Sequence, residues 1–226
     1  MAKGYVAKKL LVEGQDDLRV IPELIEKNGI PWGEKKKDAI VLIEDCGGYN
    51  KINTDLISAE LQASGLTNLG LIIDADEDLS TRWISIRNAC LPSIPDIPEQ
   101  IPETGLIHVT KNGIKFGIWM MPDNQMGGML ETFLAYMIRD EGKVIWQYAQ
   151  EVVKEAKNKG ALFKDSYFDK AKIYSWLAWQ EEPGRQLHQA IKYEILNPQH
   201  PEAQIFVTWF KTLYDLQSSD VFDSQK

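Results

Sequence analysis

Leu69-Gly70-Leu71-Ile72-Ile73-Asp74-Ala75-Asp76-Glu77-Asp78 is the stretch that decides the fold. Five apolar or small residues in a row read as a strand buried on both faces. Four carboxylates in the next five positions then fall where the strand ends and a loop begins. In open α/β sheets, ligands bind outside the carboxyl ends of the strands. Carboxylates crowded together repel one another unless a cation lies among them. The segment therefore predicts a buried parallel strand with a divalent-cation site at its tip.

The flanking sequence alternates in the manner of an α/β protein. Lys8 to Val12 reads as a first strand ending at Glu13-Gly14. Asp16 or Asp17 then caps a helix to about Asn28, with Leu18, Ile21, Leu24 and Ile25 on one face. A second strand is expected over Ala39–Ile43, followed by the turn Gly47-Gly48. A helix is expected from Lys51 to Ser64, before the strand Leu69–Ile73. Asp78 or Ser80 caps the next helix. The four prolines 92, 95, 98 and 102 then mark an irregular loop. Leu106–Val109 and Lys115–Met121 flank Asn112-Gly113 as a hairpin. A helix begins near Met129. The alternation predicts a mainly parallel, Rossmann-like sheet flanked by helices, with right-handed crossovers. From about Arg139 only helical stretches remain: 143–159, 166–180, 184–196 and 201–216. The expected organisation is an α/β domain over residues 1–138 with a C-terminal helical extension, residues 139–226, packed on it. The tail 218–226 reads as frayed.

Composition bounds the function. The chain has 226 residues, 44% of them hydrophobic, which is enough for a full core. The net charge of −8 is not the signature of a dedicated nucleic-acid binder, although a bound metal can reverse the field locally. No apolar run reaches bilayer length, so no membrane association and a cytoplasmic location are expected. Cys46 and Cys90 form no CxxC pair and read as small buried residues. The three histidines show no metal-ligand spacing.

Acids close three of the strands: Glu13 the first, Asp74 and Asp76 the third, Asp123 the last. In an extended strand end, Asp74 and Asp76 would face the same way. Hard oxygen donors of this kind suit Mg²⁺ (or Mn²⁺), which takes one or two carboxylates and keeps waters and phosphate oxygens for the rest. Gly14 permits a sharp turn after Glu13, and Gly47-Gly48 permits close backbone approach to a ligand. Lys51 could reach a phosphate at the sheet edge. Glu131, early in a helix, is a weaker site candidate, since the helix dipole alone favours an acid there. Glu77 and Asp78 read as solvated, supporting or helix-capping. The competing readings are a solvated acidic loop, a calcium loop that lacks the downstream Gly and Glu of an EF-hand, and a phosphatase-like DxD on the wrong strand. Lys35-Lys36-Lys37 reads as a solvated run. Trp176, Trp179 and Trp209 could stack on bases, but at helical spacing they read as core or interface residues.

Leu10-Leu11-Val12-Glu13-Gly14-Gln15-Asp16-Asp17 and Ile72-Ile73-Asp74-Ala75-Asp76 resemble the two signature motifs of the Toprim domain of topoisomerases, bacterial primases, and OLD-family and RNase M5-like nucleases. The resemblance implies Glu13 as general acid/base and Asp74 and Asp76 as Mg²⁺ ligands. The segments 117–131 and 176–184 resemble the Toprim-related family DUF3226. No second domain with a nucleophilic tyrosine, no zinc ribbon and no phosphate-binding G-x-x-x-x-G-K-[ST] loop is present. The expectation is a stand-alone Toprim-like nuclease acting on DNA or RNA. The alternative is a non-hydrolytic metal- or nucleotide-binding module acting in a defence or repair complex with a separate ATPase.

Overall fold

The computed structural model describes residues 6–33 and 38–216. Lys35-Lys36-Lys37 and the tail 218–226 lie outside the described residues. The chain runs β1 (Lys8–Val12), α1 (Asp17–Lys27), β2 (Leu42–Asp45), α2 (Thr54–Leu61), β3 (Asn68–Asp74), α3 (Leu79–Cys90), β4 (Leu106–Val109), β5 (Lys115–Met121) and α4 (Leu130–Tyr136). It continues through α5 (Lys143–Asn158), α6 (Phe168–Leu177), α7 (Leu187–Lys192) and α8 (Pro201–Tyr214).

The five strands form one sheet in the order β2-β1-β3-β5-β4. The first four are parallel, and β4 closes one edge as the antiparallel arm of the hairpin with β5. This is the α/β, Rossmann-like architecture that the alternation predicts. Strand periodicity divides the core cleanly. Leu10, Val12, Ile72, Trp119 and Met121 point to one face, with α1, α4 and α8. Leu11, Leu71, Ile73, Phe116, Ile118 and Met120 point to the other, with α2 and α3. Because α1 and α2 cover opposite faces, and β2 and β3 flank β1 on opposite sides, the chain reverses its winding direction between β1 and β3. A crevice opens at the carboxyl ends of strands at such a reversal.

The C-terminal helices extend the first of these cores. Phe206, Val207, Phe210, Leu213 and Tyr214 of α8 and Trp176 and Leu177 of α6 are buried with α1 and α4 in one continuous cluster. α8 approaches the sheet closely because Gly70 and Gly117 are paired across β3 and β5. A Cβ on Gly70 would lie 2.3 Å from Tyr214 Oη, and one on Gly117 2.7 Å from Leu213 Cδ2. The Tyr214 hydroxyl donates to the Lys9 carbonyl at 2.7 Å, so its one polar atom is satisfied inside the core.

Two elements of the α/β half depart from the sequence expectation. β2 spans Leu42–Asp45 rather than residues 39–43. It is a half-buried edge strand, and Glu44 and Asp45 still pair with Leu11 and Val12. The helix expected from Lys51 instead begins as a 3-10 turn at Tyr49–Lys51 and restarts at Thr54. There the extended Asn53 accepts the Leu56 N–H at 3.0 Å as a helix cap.

Candidate active site

The crevice at the β1/β3 reversal is a cleft of about 490 Å³. Glu13, Gly14, Asp16, Asp17, Gly48, Asp74, Asp76, Glu131 and Lys170 line it, together with Ser166 and Tyr167. β1 delivers Glu13 and the start of α1 delivers Asp16 and Asp17. β3 ends on Asp74, and the N-terminal turn of α4 carries Glu131.

Backbone donors hold the acids in place. Glu13 Oε2 accepts the Asp74 N–H at 3.3 Å, which ties the first strand end to the third. Asp74 Oδ1 accepts the Leu130 N–H at 3.0 Å, which ties the third to α4. Asp17 Oδ2 accepts the Gly14 N–H at 3.2 Å and folds the Glu13-Gly14 turn back on α1. The Gly48 N–H donates to the Glu13 carbonyl at 3.0 Å. Gly47 and Gly48 both have positive φ, at 75° and 100°, conformations that only glycine adopts without strain.

Burial and mutual repulsion dominate the electrostatics. Burial, then the charge of Glu131, pushes Asp17 up from 3.8 to about 7. Burial, followed by Asp17, Glu13 and Glu131, holds Asp74 well above the ordinary carboxylate range. Burial also raises Glu13, against the hydrogen bond from Asp74 and the charge of Arg82. Lys170 supplies one cation from α6, 3.0 Å from Asp16 and 3.2 Å from Glu131. Burial works against its charge, but Glu131 and Asp16 outweigh that and raise its pKa.

The sequence candidates divide. Glu13, Gly14, Gly48, Asp74 and Asp76 line the cleft. Asp76 does so in a different manner from the extended strand end that was expected. β3 stops at Asp74, and Asp76 adopts φ 54° with its N–H on the Gly128 carbonyl at 2.8 Å. The alternation that would align Asp74 with Asp76 is broken, and the Asp76 carboxylate pairs with Arg82. Asp123, expected beside the metal, does not line the cleft. One of its oxygens accepts the N–H groups of Gln125 and Met126 at 2.9 and 3.1 Å, and the other accepts the Tyr136 hydroxyl at 2.8 Å. It shapes the turn after β5. Gly47 and Lys51 also lie off the cleft wall: the Gly47 N–H is spent on Asp45 at 2.6 Å, and Lys51 is exposed on the 3-10 turn. Glu77 is exposed, and Asp78 caps α3 through the N–H groups of Ser80 and Thr81. Trp176 and Trp209 are buried, and Trp179 lies against Tyr148 with ring centroids 5.5 Å apart.

Sequence reading missed Asp17 and Lys170. Asp17 passed as a helix cap, although it follows Glu13 by one helical turn's worth of residues. Lys170, far along the chain, carried no signal.

The donor set fits a hard cation. Among the described residues, no three His, Cys, Asp or Glu side chains stand ready as a metal-ligand set. Mg²⁺ does not need three, since it binds through one or two carboxylates and keeps several waters. Glu13 and Asp74 are the two carboxylates of the strand ends that could serve in that way.

A family model described as "Protein of unknown function (DUF3226)" matches residues 7–215. No curated protein and no solved structure matches the chain.

Proposed function

The chain belongs to the DUF3226 family, and we propose that its cleft performs Mg²⁺-dependent phosphodiester chemistry on nucleic acid. The observation that carries this reading is the meeting of Glu13, Asp17, Asp74 and Glu131 in one cleft at the carboxyl ends of β1 and β3. The resemblance of the Glu13-Gly14 and Asp74-Ala75-Asp76 segments to the Toprim motifs supports it.

Asp74, with Glu13 and Asp76 beside it, would hold Mg²⁺ or Mn²⁺. A cation bound there supplies charge neutralisation at the phosphate and lowers the pKa of water. Glu13 is the general acid/base. Burial raises its pKa above the ordinary carboxylate value, the direction that suits a carboxyl group to proton transfer. Its hydrogen bond from the Asp74 N–H fixes the carboxylate relative to the neighbouring acid. Asp17, with a pKa of about 7, exchanges protons at the back of the same cleft. Gly14 and Gly48 add no side chain to the wall where they line it. Lys170 keeps Asp16 and Glu131 compensated.

The test is cleavage of labelled single- and double-stranded DNA and RNA with Mg²⁺ or Mn²⁺. Glu13→Gln is expected to lower the rate by about 10²–10⁴-fold, the range for a positioned acid or base. Unchanged cleavage in Glu13→Gln and Asp74→Asn would remove the assignment.

One observation favours a second reading, a non-hydrolytic binding module working with a separate ATPase. Arg82 and Lys170 already pair with acids of the cleft. Metal binding without cleavage of any of the four substrates supports that reading over the first.

A further inference from the structure

Arg82 and Asp76 form an ion pair at the edge of the cleft. The Arg82 side chain is only 12% exposed, while that of Asp76 is 42% exposed. The guanidinium lies over the Tyr49 ring, its carbon 3.6 Å from the ring centroid. Such stacking holds a guanidinium whether or not it has an ionic partner. Its other terminal nitrogen, Nη1, is buried and has no hydrogen-bond partner among the described residues. Buried charged donors are rarely left in that condition, because their lost hydration is then uncompensated.

The backbone of Asp76 is fixed independently of Arg82 by the hydrogen bond from its N–H to the Gly128 carbonyl. Gly127 packs under the same loop, so closely that a Cβ there would lie 2.7 Å from the Asp76 carbonyl oxygen. The Asp76 carboxylate can therefore change partner by side-chain rotation alone. Asp76 lines the cleft shared with Glu13 and Asp74 and also the smaller hollow bounded by Glu77, Ser166 and Asp169.

We propose that Arg82 is a placeholder cation: it holds Asp76 while no metal is bound and surrenders it to a divalent ion entering beside Glu13 and Asp74. The proposal rests on the metal reading above. The physical basis is competition between two cations for one carboxylate. Arg82 neutralises Asp76 in the metal-free protein, which lessens the repulsion in a cleft already crowded with acids. An arriving divalent ion repels Arg82 and attracts Asp76. Tyr49 retains the freed guanidinium, and the Nη2 that Asp76 leaves is open to a phosphate oxygen in its place. Arg82 is on this account a positioning residue, and it weakens metal affinity specifically through Asp76.

The experiment is a double-mutant cycle on Mn²⁺ affinity, measured by isothermal titration calorimetry or Mn²⁺ electron paramagnetic resonance at fixed pH and ionic strength. The proteins are wild type, Arg82→Gln, Asp76→Asn and the double variant. Arg82→Gln is expected to tighten Mn²⁺ binding by about three- to tenfold when Asp76 is present, and by less than about twofold when it is Asn, a coupling of the size such cycles resolve. Arg82→Lys keeps the charge but loses the planar fork. It is expected to fall between wild type and Arg82→Gln, and it serves if the Gln variant does not fold. Equal tightening in both backgrounds would reduce Arg82 to a general field effect and overturn the proposal. So would unchanged or weaker binding in Arg82→Gln while wild type binds Mn²⁺, which leaves the metal reading standing. Failure of every variant to bind Mn²⁺ overturns both.

Discussion

Asp17 shows what a single buried carboxyl does in this cleft. Its pKa is raised from 3.8 to about 7, so the folded protein retains a proton that the unfolded chain releases. Its stabilising effect is whole below pH 3.8 and is lost as the pH rises through about 7. Asp17→Asn removes that loss. The variant is expected to melt at about the same temperature as wild type near pH 4, and several degrees higher at pH 8, at about 2–4 °C per kcal/mol for a chain of this size. Differential scanning calorimetry of both proteins across pH 4–8, without divalent ions, checks the divergence. The same residue marks a limit of sequence reading. Glu13 and Asp74 were legible because each follows an apolar run. Asp17 was not, because an acid at a helix start has a sufficient local explanation. Lys170 reaches Asp16 and Glu131 only through the packing of α6, which no local pattern encodes.

At the scale of elements, the legible parts are those with strong periodicity. β1 and the β4–β5 hairpin match their expected bounds to the residue. The Asp78 cap of α3 was one of two alternatives, and its double hydrogen bond to Ser80 and Thr81 decides it. The β2 and α2 boundaries moved because an edge strand carries a weak hydrophobic signal and because Asn53 competes for the helix start. At the C-terminus, the helix expected over 184–196 shrinks to Leu187–Lys192, since Glu194 turns left-handed and Leu196 bridges to Ile138. Two glycines carry element-scale predictions. Gly117→Ala puts a Cβ 2.7 Å from Leu213 Cδ2 and is expected to cost about 1–3 kcal/mol by overpacking, read from chemical denaturation. Gly127→Ala meets backbone, the carbonyl oxygens of Asp76 and Glu77 at 2.7 and 2.8 Å. It is expected to displace the acidic loop and weaken Mn²⁺ binding by at least about tenfold, or 1.4 kcal/mol. Gly117→Ala, which lies away from the cleft, should leave Mn²⁺ affinity near wild type.

For the whole molecule, topology gathers the site. β1 and β3 are neighbours although α1, β2 and α2 separate them in sequence, and the reversal of winding between them opens the cleft where both end in acids. Asp123 stands outside it even though β5 adjoins β3, because its carboxylate is consumed by its own turn and by Tyr136. The C-terminal helices are part of the same design, since α8 covers the sheet at Gly70 and Gly117 and α6 brings Lys170 to the acids. Among the described residues, no helix is long and apolar enough to cross a membrane. Mg²⁺ or Mn²⁺ is expected to raise the melting temperature more at pH 8 than at pH 5, because the carboxyls of raised pKa must lose protons before they bind metal. The central claim is that Glu13 and Asp74 share one cation-binding edge. The most direct measurement is the anomalous difference map of a Mn²⁺-soaked crystal. The expected result is a peak coordinated by Asp74, with Glu13 and a rotated Asp76 around it, that disappears in Asp74→Asn. A map with no peak in the cleft, or with Mn²⁺ bound only elsewhere on the surface, would contradict the account.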